Sequence, residues 1–267
     1  MTARAKSSQK RSVLLKRTDG TQAISRAVQI LRLMARRGAE GSRLTDLSRA
    51  AGIPHPTLRR ILICLLDEGF VIQDSLTRRY LLGPLNYELG LAASHRTDMH
   101  DKLRPVLERI AHASGDTVYL NVRSGFDQVC LLRIEGYSTI RAMIQEIGGR
   151  RPLCFGSSGL AIMAALEDDE VEEVLQANAK DIANHSWLTP DAVRRAVAKT
   201  RQNGFAVIRD TSVLGVGAIG VMLPPNAEEP AMAITIAMVN DRLTYARARE
   251  LYKILKQEIQ GASDKAA

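Results

Sequence analysis

Apolar and polar residues alternate with the helical period in two segments near the start of the chain. The first segment spans residues 22–37, and its apolar positions are Ile24, Val28, Leu31 and Met34. The second spans residues 43–52, where Leu44, Leu47 and Ala51 share one face. Ser42 precedes the second segment and is expected to cap its N-terminus. The pattern predicts two amphipathic helices separated by a glycine-containing turn.

A third helix is predicted to begin near Pro56 and to end at Gly69. Its core face consists of Leu58, Ile61, Leu62, Leu65 and Leu66, which recur with helical spacing. Two strand-like runs follow at residues 70–74 and 78–83, and the polar link between them predicts a hairpin. Three helices followed by a hairpin is the order of a winged helix-turn-helix.

The remainder of the chain mixes strands with helices. An amphipathic stretch after Pro84 predicts a helix that joins two domains. Strands are predicted at 117–123, 128–135, 139–147, 205–210, 218–224 and 231–239. Helices are predicted at 101–114, 158–166 and 168–178, from Thr189-Pro190 onward, and at 241–260. Strands at both ends of this region, with helices between them, predict an α+β sandwich.

These elements divide the chain into four parts. Residues 1–20 are polar, basic and without pattern, which predicts a disordered arm. Residues 21–83 are predicted to form the winged helix-turn-helix, and residues 84–98 the linker helix. Residues 99–262 are predicted to form the C-terminal domain. A length of 267 residues is sufficient for two such domains.

The net charge of +8 is distributed unevenly. Residues 1–97 contain 17 Lys and Arg but only 7 Asp and Glu, whereas the remaining residues contain 20 and 22. All the excess positive charge therefore lies in the first third, as expected when one part of a chain meets a polyanion. Residues 1–17 alone carry 6 Lys and Arg and no Asp or Glu, which is more than half of this excess, but many arginines lie in the patterned sequence that follows.

Composition excludes several classes of protein. No uncharged run is long enough for a membrane span, so no membrane association is predicted. The three cysteines, Cys64, Cys130 and Cys154, are scattered and indicate no disulfide framework. A reducing, cytoplasmic location near the nucleoid is the expectation.

Two adjacent arginines stand at the start of the third predicted helix. Because five apolar residues define its buried face, Arg59 and Arg60 must point outward. In a helix-turn-helix this part of the second helix enters the major groove, where arginine can bind guanine through two hydrogen bonds. The alternative is a charged face that serves only solubility, but the arginines' position within a basic winged helix favours DNA binding. The predicted DNA-binding residues are Arg43, His55, Thr57, Arg59, Arg60, Arg78 and Arg79.

Several segments together resemble one family. They are "AISRAVQILRLMARRG", "LTDLSRAAGIPHPTLRRILICLLDEGFV", "TRRYLLGPLNYELG", "LRPVLERIAHASGDTVYLNV", "GRRPLCFGSSGLAIMAAL" and "VRRAVAKTRQNGFAV". In this order they resemble IclR-type transcriptional regulators, over nearly the whole chain from about residue 22. The resemblance implies a winged-helix DNA reader, a linker helix and a C-terminal α/β domain of the GAF/PAS-like type that binds a small effector. It also implies homodimers, often paired into homotetramers.

The chain departs from the usual pattern of that family in both halves. Pro56 stands where a small hydroxyl residue is common, and Arg43 where a capping threonine is usual. Leu160 replaces a frequent lysine, and Gly217-Ala218 replaces a frequent Arg-Cys pair. Because the last two departures lie in the effector half, the usual ligand of the family cannot be assumed.

The segment "CFGSSGLAIMAAL" places Gly156, Ser157, Ser158 and Gly159 at a predicted helix start. Unpaired N–H groups and the positive end of the helix dipole favour an anion there, so we expect this turn to hold a carboxylate of a small organic effector. The alternative is that Ser157 or Ser158 only caps the helix. The resemblance favours the binding site, because this segment borders the effector pocket in the family. The other candidate effector-binding residues are Met143, Phe155, Asp210, Gly217, Ala218 and Asn240.

Motifs for other chemistry are weak. The glycines of "GVGAIG" at 215–220 lead into a predicted strand rather than a helix, which argues against a dinucleotide site. The five histidines show no metal-ligand spacing, and no Ser/His/Asp set is evident. We therefore predict no catalytic residue, no metal and no cofactor.

Three functions compete at this level. The first is a transcription factor that reads a double-stranded operator and is controlled by a small organic acid. The second is an enzyme acting on a small carboxylate with a basic appendage that binds DNA or RNA. The third is a single-strand or RNA binder, which the aromatic content of 4% disfavours because such proteins stack bases on aromatic rings.

Overall fold

The computed structural model describes residues 21–94, 99–210, 213–225 and 230–263. The predicted basic arm at 1–20 lies outside the described residues, as do residues 95–98 of the predicted linker. The chain divides into two compact units, and the division falls between Asn86 and Tyr87. No helix among the described residues is long and apolar enough to cross a membrane.

The described part of the N-terminal unit contains three α-helices and a two-stranded sheet. The helices are α1 (Gln22–Arg37), α2 (Leu44–Ala51) and α3 (His55–Asp67), and a short 3-10 turn (Gly38–Glu40) follows α1. The strands β1 (Val71–Gln73) and β2 (Tyr80–Leu82) pair antiparallel and form the wing. The predicted order of a winged helix-turn-helix is confirmed.

One small core holds this unit together. It is built from Ile30, Met34, Leu47, Ile53, Leu58, Leu62, Leu65 and Val71, all of which are buried. These residues come from α1, α2, α3, β1 and the turn between α2 and α3. In α1 the buried residues are Ile30 and Met34, whereas Ile24 and Val28 of the predicted apolar face are exposed. The helical periodicity of the sequence therefore sets which face of α3 is buried.

The predicted cap of α2 was wrong. Arg43, not Ser42, occupies the N-cap position, and no side chain caps this helix. Ser42 instead pairs with Tyr80 through both main-chain hydrogen bonds, each 2.9 Å long. This bridge holds Ser42 in extended geometry beside the wing, so it lies one residue before the position that a capping side chain needs.

The described part of the second unit contains seven α-helices and six strands, and the first of these helices, α4 (Leu85–Ser94), begins two residues before the division. Its remaining helices are α5 (Met99–Ser114), α6 (Gly156–Met163), α7 (Asp168–Ala177), α8 (Ala179–Ala183), α9 (Pro190–Asn203) and α10 (Tyr245–Ser263). Its strands are β3 (Thr117–Ser124), β4 (Asp127–Ile134), β5 (Arg150–Pro152), β6 (Ala206–Arg209), β7 (Val216–Met222) and β8 (Met232–Val239).

The six strands form one antiparallel sheet in the order β5-β4-β3-β8-β7-β6. Residues of α5 and α10 pack on one face and make the larger core with Leu120, Ile234 and Ile236. Residues of α6, α7, α8 and α9 make a second core that includes Ala206 and Ala233 of the sheet. The unit is therefore an α+β domain with helices on both faces, as predicted.

The predicted strand at 139–147 was wrong, because the structure gives no strand there. The chain instead crosses one face of the sheet, where the phenol of Tyr119 donates to the Ala142 carbonyl at 2.8 Å and accepts from the Ile144 N–H at 3.0 Å. The side chains of Ala142 and Ile144 pack against Tyr119 and Cys130. A tyrosine thus satisfies main-chain groups that a neighbouring strand would otherwise bind.

Candidate DNA interface and effector face

The turn between α2 and α3 fixes the start of α3. Gly52 adopts a left-handed conformation with φ +66°, which L side chains rarely adopt. Ile53 then enters the core, where its carbonyl accepts the Ser48 hydroxyl at 2.6 Å. Pro54 precedes α3 in extended geometry, so the helix begins abruptly after a rigid turn.

The first turns of α3 present polar side chains to solvent. His55, Arg59 and Arg60 are exposed and Thr57 is half-buried, whereas Leu58 and Leu62 are fully buried between them. The side chains of Arg59 and Arg60 make no hydrogen bond or ion pair with any residue that the structure describes. Two unpaired guanidinium groups therefore stand beside the N-terminus of α3, where the helix dipole adds further positive potential.

A cavity of about 510 Å³ lies between α1 and α3. Ile24 and Arg26 line it from α1, and Thr57, Arg60 and Cys64 line it from α3. Arg60 therefore stands at the edge of a concave surface rather than on an isolated convex helix.

The two arginines of the wing, Arg78 and Arg79, differ in their contacts. Arg79 donates from Nη1 to the main-chain oxygens of Glu40 at 2.9 Å and Gly41 at 3.3 Å. Arg78 adopts φ +58°, and its exposed side chain has no partner among the described residues. Sequence reasoning assigned both to DNA, but the structure gives Arg79 an internal contact that ties the wing to the turn after α1.

Asp74 shapes the tip of the wing. Its carboxylate accepts from the Thr77 N–H at 2.6 Å and from the Thr77 hydroxyl at 2.7 Å. These two hydrogen bonds hold the pKa of Asp74 below its ordinary value.

Arg43 is exposed at the start of α2, and its side chain makes no hydrogen bond or ion pair with a described residue.

In the C-terminal unit, one face of the sheet carries polar and small side chains. We call it the α6 face, because α6 covers part of it. Its residues are Tyr119 and Asn121 of β3, Gln128 and Cys130 of β4, Ala218 and Gly220 of β7, and Thr235 and Ala237 of β8. Their neighbours along each strand, such as Leu120 and Ile236, point to the opposite core.

The serines at the start of α6 are bound to this face. The Ser157 hydroxyl lies 3.2 Å from that of Thr235, and the Ser158 hydroxyl donates to Gln128 Oε1 at 2.5 Å. Gln128 in turn donates to the Phe155 carbonyl at 2.5 Å. Neither serine caps α6, whose N-cap position is Phe155. A side chain on Gly220 would meet the Ser157 carbonyl at 2.5 Å, so only glycine allows this close approach.

The predicted effector-binding residues do not all meet. Gly156, Ser157, Ser158 and Ala218 border the α6 face. The ring of Phe155 turns away and packs against His185 and Trp187, with ring centroids 4.8 Å and 5.7 Å distant. Met143 is about half exposed on the segment 139–149.

The other three predicted residues, Gly217, Asp210 and Asn240, lie together at the ends of β6 and β8 and the start of β7. A side chain on Gly217 would meet Leu243 and Asn240, on the side of the sheet opposite Ala218. Asn240 donates its amide to Asp210 at 2.5 Å, and Asp210 also accepts from the Gly215 N–H. These contacts join Asp210 at the end of β6 to Gly215 and Asn240, and the structure does not bring this group to the α6 face.

Sequence reasoning missed Tyr119, Asn121, Gln128, Arg151 and Thr235, which border the α6 face. The signal was present in "TVYLNVR", where Tyr119 and Asn121 alternate with apolar residues. A strand with one polar face inside a covered sheet indicates a site or a buried network. The described residues include no group of three or more His, Cys, Asp or Glu side chains that could hold a metal ion.

Comparison with known proteins agrees with both units. Residues 91–263 match the family described as bacterial transcriptional regulator IclR C-terminal, and residues 23–75 match the IclR helix-turn-helix domain. The chain belongs to the IclR family. It is therefore a DNA-binding transcriptional regulator and not an enzyme.

Individual IclR-family proteins are similar over most of their length. The HTH-type transcriptional repressor AllR of Escherichia coli K12 is 27% identical over 229 residues, which cover 85% of this chain and 84% of AllR. The transcriptional repressor IclR of the same strain is 25% identical over 235 residues, 87% of this chain and 85% of that protein. A solved structure of an IclR-family regulator from Brucella abortus superposes with a TM-score of 0.75 at 18% identity, covering 94% and 95% of the two chains.

Proposed function

We propose that this regulator reads a specific operator through α3 and that a small organic acid, bound in its C-terminal unit, modulates operator binding. The observation that supports the first part is the pair of exposed arginines, Arg59 and Arg60, at the start of α3. Arginine binds guanine O6 and N7 through two hydrogen bonds, which contributes about 1–3 kcal/mol of base discrimination. The names of the relatives AllR and IclR favour repression as the outcome.

The surrounding residues have supporting roles in this proposal. His55 and Thr57 lie at the same end of α3 and can reach phosphate or base edges. Arg78 on the wing and Arg43 before α2 are exposed, have no side-chain partner among the described residues, and are proposed to bind the flanking backbone. Arg79 is proposed to support DNA binding mainly by holding the wing in position, because its guanidinium already binds two main-chain oxygens.

The regulator is proposed to act as a homodimer or a homotetramer. Two-fold symmetry would set two copies of α3 about 34 Å apart on one side of the duplex and would match a palindromic operator. Residues 84–98 are proposed as the linker, and residues 99–262 as the effector-binding domain.

The α6 face supports the effector part of the proposal. It combines hydroxyl and amide groups with small side chains, and α6 begins at its edge without a capping side chain. The first N–H groups of a helix attract anions, which favours a carboxylate. The effector would shift the regulator between arrangements that fit or misfit the operator, and this requires a different affinity for the two states.

Selection of genomic DNA fragments by the purified protein tests the proposal. We expect recovery of palindromic duplex sites whose affinity falls steeply with salt, since Lys and Arg displace condensed counterions. A panel of small carboxylic acids is then added to the recovered operator complex. If no acid changes operator affinity, the effector part of the proposal fails. A preference for single-stranded over duplex DNA would contradict recognition of the operator by α3.

A further inference from the structure

Arg151 occupies an unusual position beside the α6 face. It lies on β5 directly opposite Gln128 of β4 in the antiparallel register, so both side chains point to the same side of the sheet. The side chain is partly buried. It makes no hydrogen bond or ion pair with any residue in the described part of the chain.

Neighbouring arginines on the same strands are all paired. Arg150 donates to Asp127 Oδ2 at 3.0 Å and to the Ser124 hydroxyl at 2.8 Å. Arg133 donates to Glu146 at 2.9 Å. Arg151 therefore differs from them in facing the polar side of the sheet without an acidic partner.

The surroundings of Arg151 oppose its charge. Burial lowers the pKa of its guanidinium, and the nearby Tyr119 hydroxyl and Cys130 thiol only partly offset this effect. A desolvated cation without a counter-charge is unfavourable unless an anion joins it. The pairing of β5 with β4 uses main-chain atoms and does not depend on the arginine side chain.

A second polar group on the α6 face also lacks a hydrogen-bond partner among the described residues. Asn121 is only 2% exposed, yet its Oδ1 has no hydrogen-bond partner among the described residues. It lies opposite Cys130 in the pairing of β3 with β4. A buried acceptor without a donor costs free energy, so this oxygen fits a ligand that donates a hydrogen bond.

We infer that Arg151 binds the carboxylate of the effector and that Asn121 accepts a hydrogen bond from a hydroxyl or amino group of the same molecule. This inference rests on the proposed effector function and narrows its ligand to small hydroxy or amino acids. The two residues lie on β5 and β3, two strand spacings or roughly 10 Å apart, and the arginine side chain reaches across part of that span. Tyr119 holds the segment 139–149 over the same face through Ala142 and Ile144.

Calorimetry on the full-length protein tests both contacts. The probes are 2-hydroxy and 2-amino acids of three to six carbons, the unsubstituted acids of equal length, and the primary amides of each acid. We expect at least one hydroxy or amino acid to bind about 10-fold or more tightly than both its amide and its unsubstituted acid, because it alone satisfies both groups.

Matched variants separate binding from folding. Arg151→Gln should weaken the best acid by about 10- to 100-fold and leave its amide nearly unchanged. Arg195→Gln removes one charge from an exposed position of α9 and should leave both affinities unchanged. The Tm of unliganded Arg151→Gln should equal or exceed that of wild type, whereas a structural role would lower it. Arg151→Lys keeps the charge and should retain most of the binding.

These measurements distinguish failure of the Arg151 and Asn121 contacts from failure of effector control. Equal binding of acids by wild type and Arg151→Gln overturns the role of Arg151, and so does the absence of acid binding to wild type. Equal affinity for an acid and its hydroxy derivative overturns the role of Asn121. If an acid binds Arg151→Gln as tightly as wild type and still alters operator affinity, effector control stands without this anchor. If an acid binds through Arg151 and operator affinity does not change, effector control fails instead.

Discussion

The guanidinium of Arg79 lies 2.9 Å from the main-chain oxygen of Glu40, and this contact joins the wing to the turn after α1. The adjacent Arg78 projects from the same wing with no described partner for its side chain. Two neighbouring residues of identical chemistry therefore have different roles, one in the shape of the domain and one at its surface.

Replacement of these arginines separates the two roles. Arg79→Ala should lower the free energy of unfolding by about 1–2 kcal/mol, because the main-chain carbonyls of Glu40 and Gly41 lose a charged hydrogen-bond donor. Arg78→Ala should leave stability within about 0.5 kcal/mol and weaken DNA binding at low salt. Urea unfolding and a DNA titration of both variants check this. Equal stability of the two variants would show that the Arg79 contact does not hold the wing.

Close packing of α6 against the sheet gives a second test. Gly220→Ala would place a carbon 2.5 Å from the Ser157 carbonyl, so β7 and α6 must separate. We expect a loss of about 1–3 kcal/mol in thermal unfolding. Gly261→Ala is the matched control, since its new carbon meets no atom within 4 Å and lies in α10. This control should gain up to about 1 kcal/mol from helix propensity. A neutral Gly220→Ala would place α6 farther from the sheet than described.

The cysteines should react at different rates. Cys64 is exposed on α3, whereas Cys130 and Cys154 are buried. Burial raises the pKa of Cys130 to about 11, so roughly one thiol in a thousand is ionised at pH 8. Iodoacetamide followed by peptide mass spectrometry should therefore label Cys64 first.

The same labelling bears on DNA binding. Cys64 lines the cavity between α1 and α3 beside Arg60, so a carbamidomethyl group there should reduce operator affinity. The Cys64→Ser variant should resist this loss after identical treatment. Prior labelling of Cys130 in the native protein would contradict the described core.

Tyr119 offers a test of the segment that crosses the α6 face. Tyr119→Phe removes the phenol that binds the Ala142 carbonyl and the Ile144 N–H. Both main-chain groups lose a partner, which should cost about 1–3 kcal/mol and speed hydrogen exchange across residues 139–149. Hydrogen exchange in the strands of the sheet should stay the same. Unaltered exchange in the segment 139–149 would show that another contact secures this segment.

The N-terminal unit was predictable because its signals are local. The spacing of Leu58, Leu62 and Leu65 fixes the buried face of α3 and thereby the outward direction of Arg59 and Arg60. The role of Ser42 was not predictable, because a bridge to Tyr80 across 38 residues outweighs its capping preference. The internal contact of Arg79 was not predictable for the same reason, since its carbonyl partners on Glu40 and Gly41 lie far back in the sequence.

The C-terminal unit was predictable in its elements but only partly in its site. Alternation located the long strands correctly, yet the apolar residues of 139–147 also fit a segment that lies across a sheet. Gly217, Asp210 and Asn240 were predicted as candidates beside Ser157, whereas the pleat sends Gly217 and Ala218 to opposite sides of the sheet. Arg151 gave no signal in the sequence, because an arginine pair such as Arg150-Arg151 does not reveal which member finds an acid.

Operator binding by Arg59→Gln/Arg60→Gln tests the central claim most directly. The double variant should bind the selected operator at least about 30-fold more weakly than wild type and should lose discrimination against a scrambled site. The control is Arg195→Gln/Lys199→Gln, which removes the same charge from exposed positions of α9 and should bind as wild type does. Wild-type affinity and discrimination in the Arg59→Gln/Arg60→Gln protein, at matched ionic strength, would contradict the account.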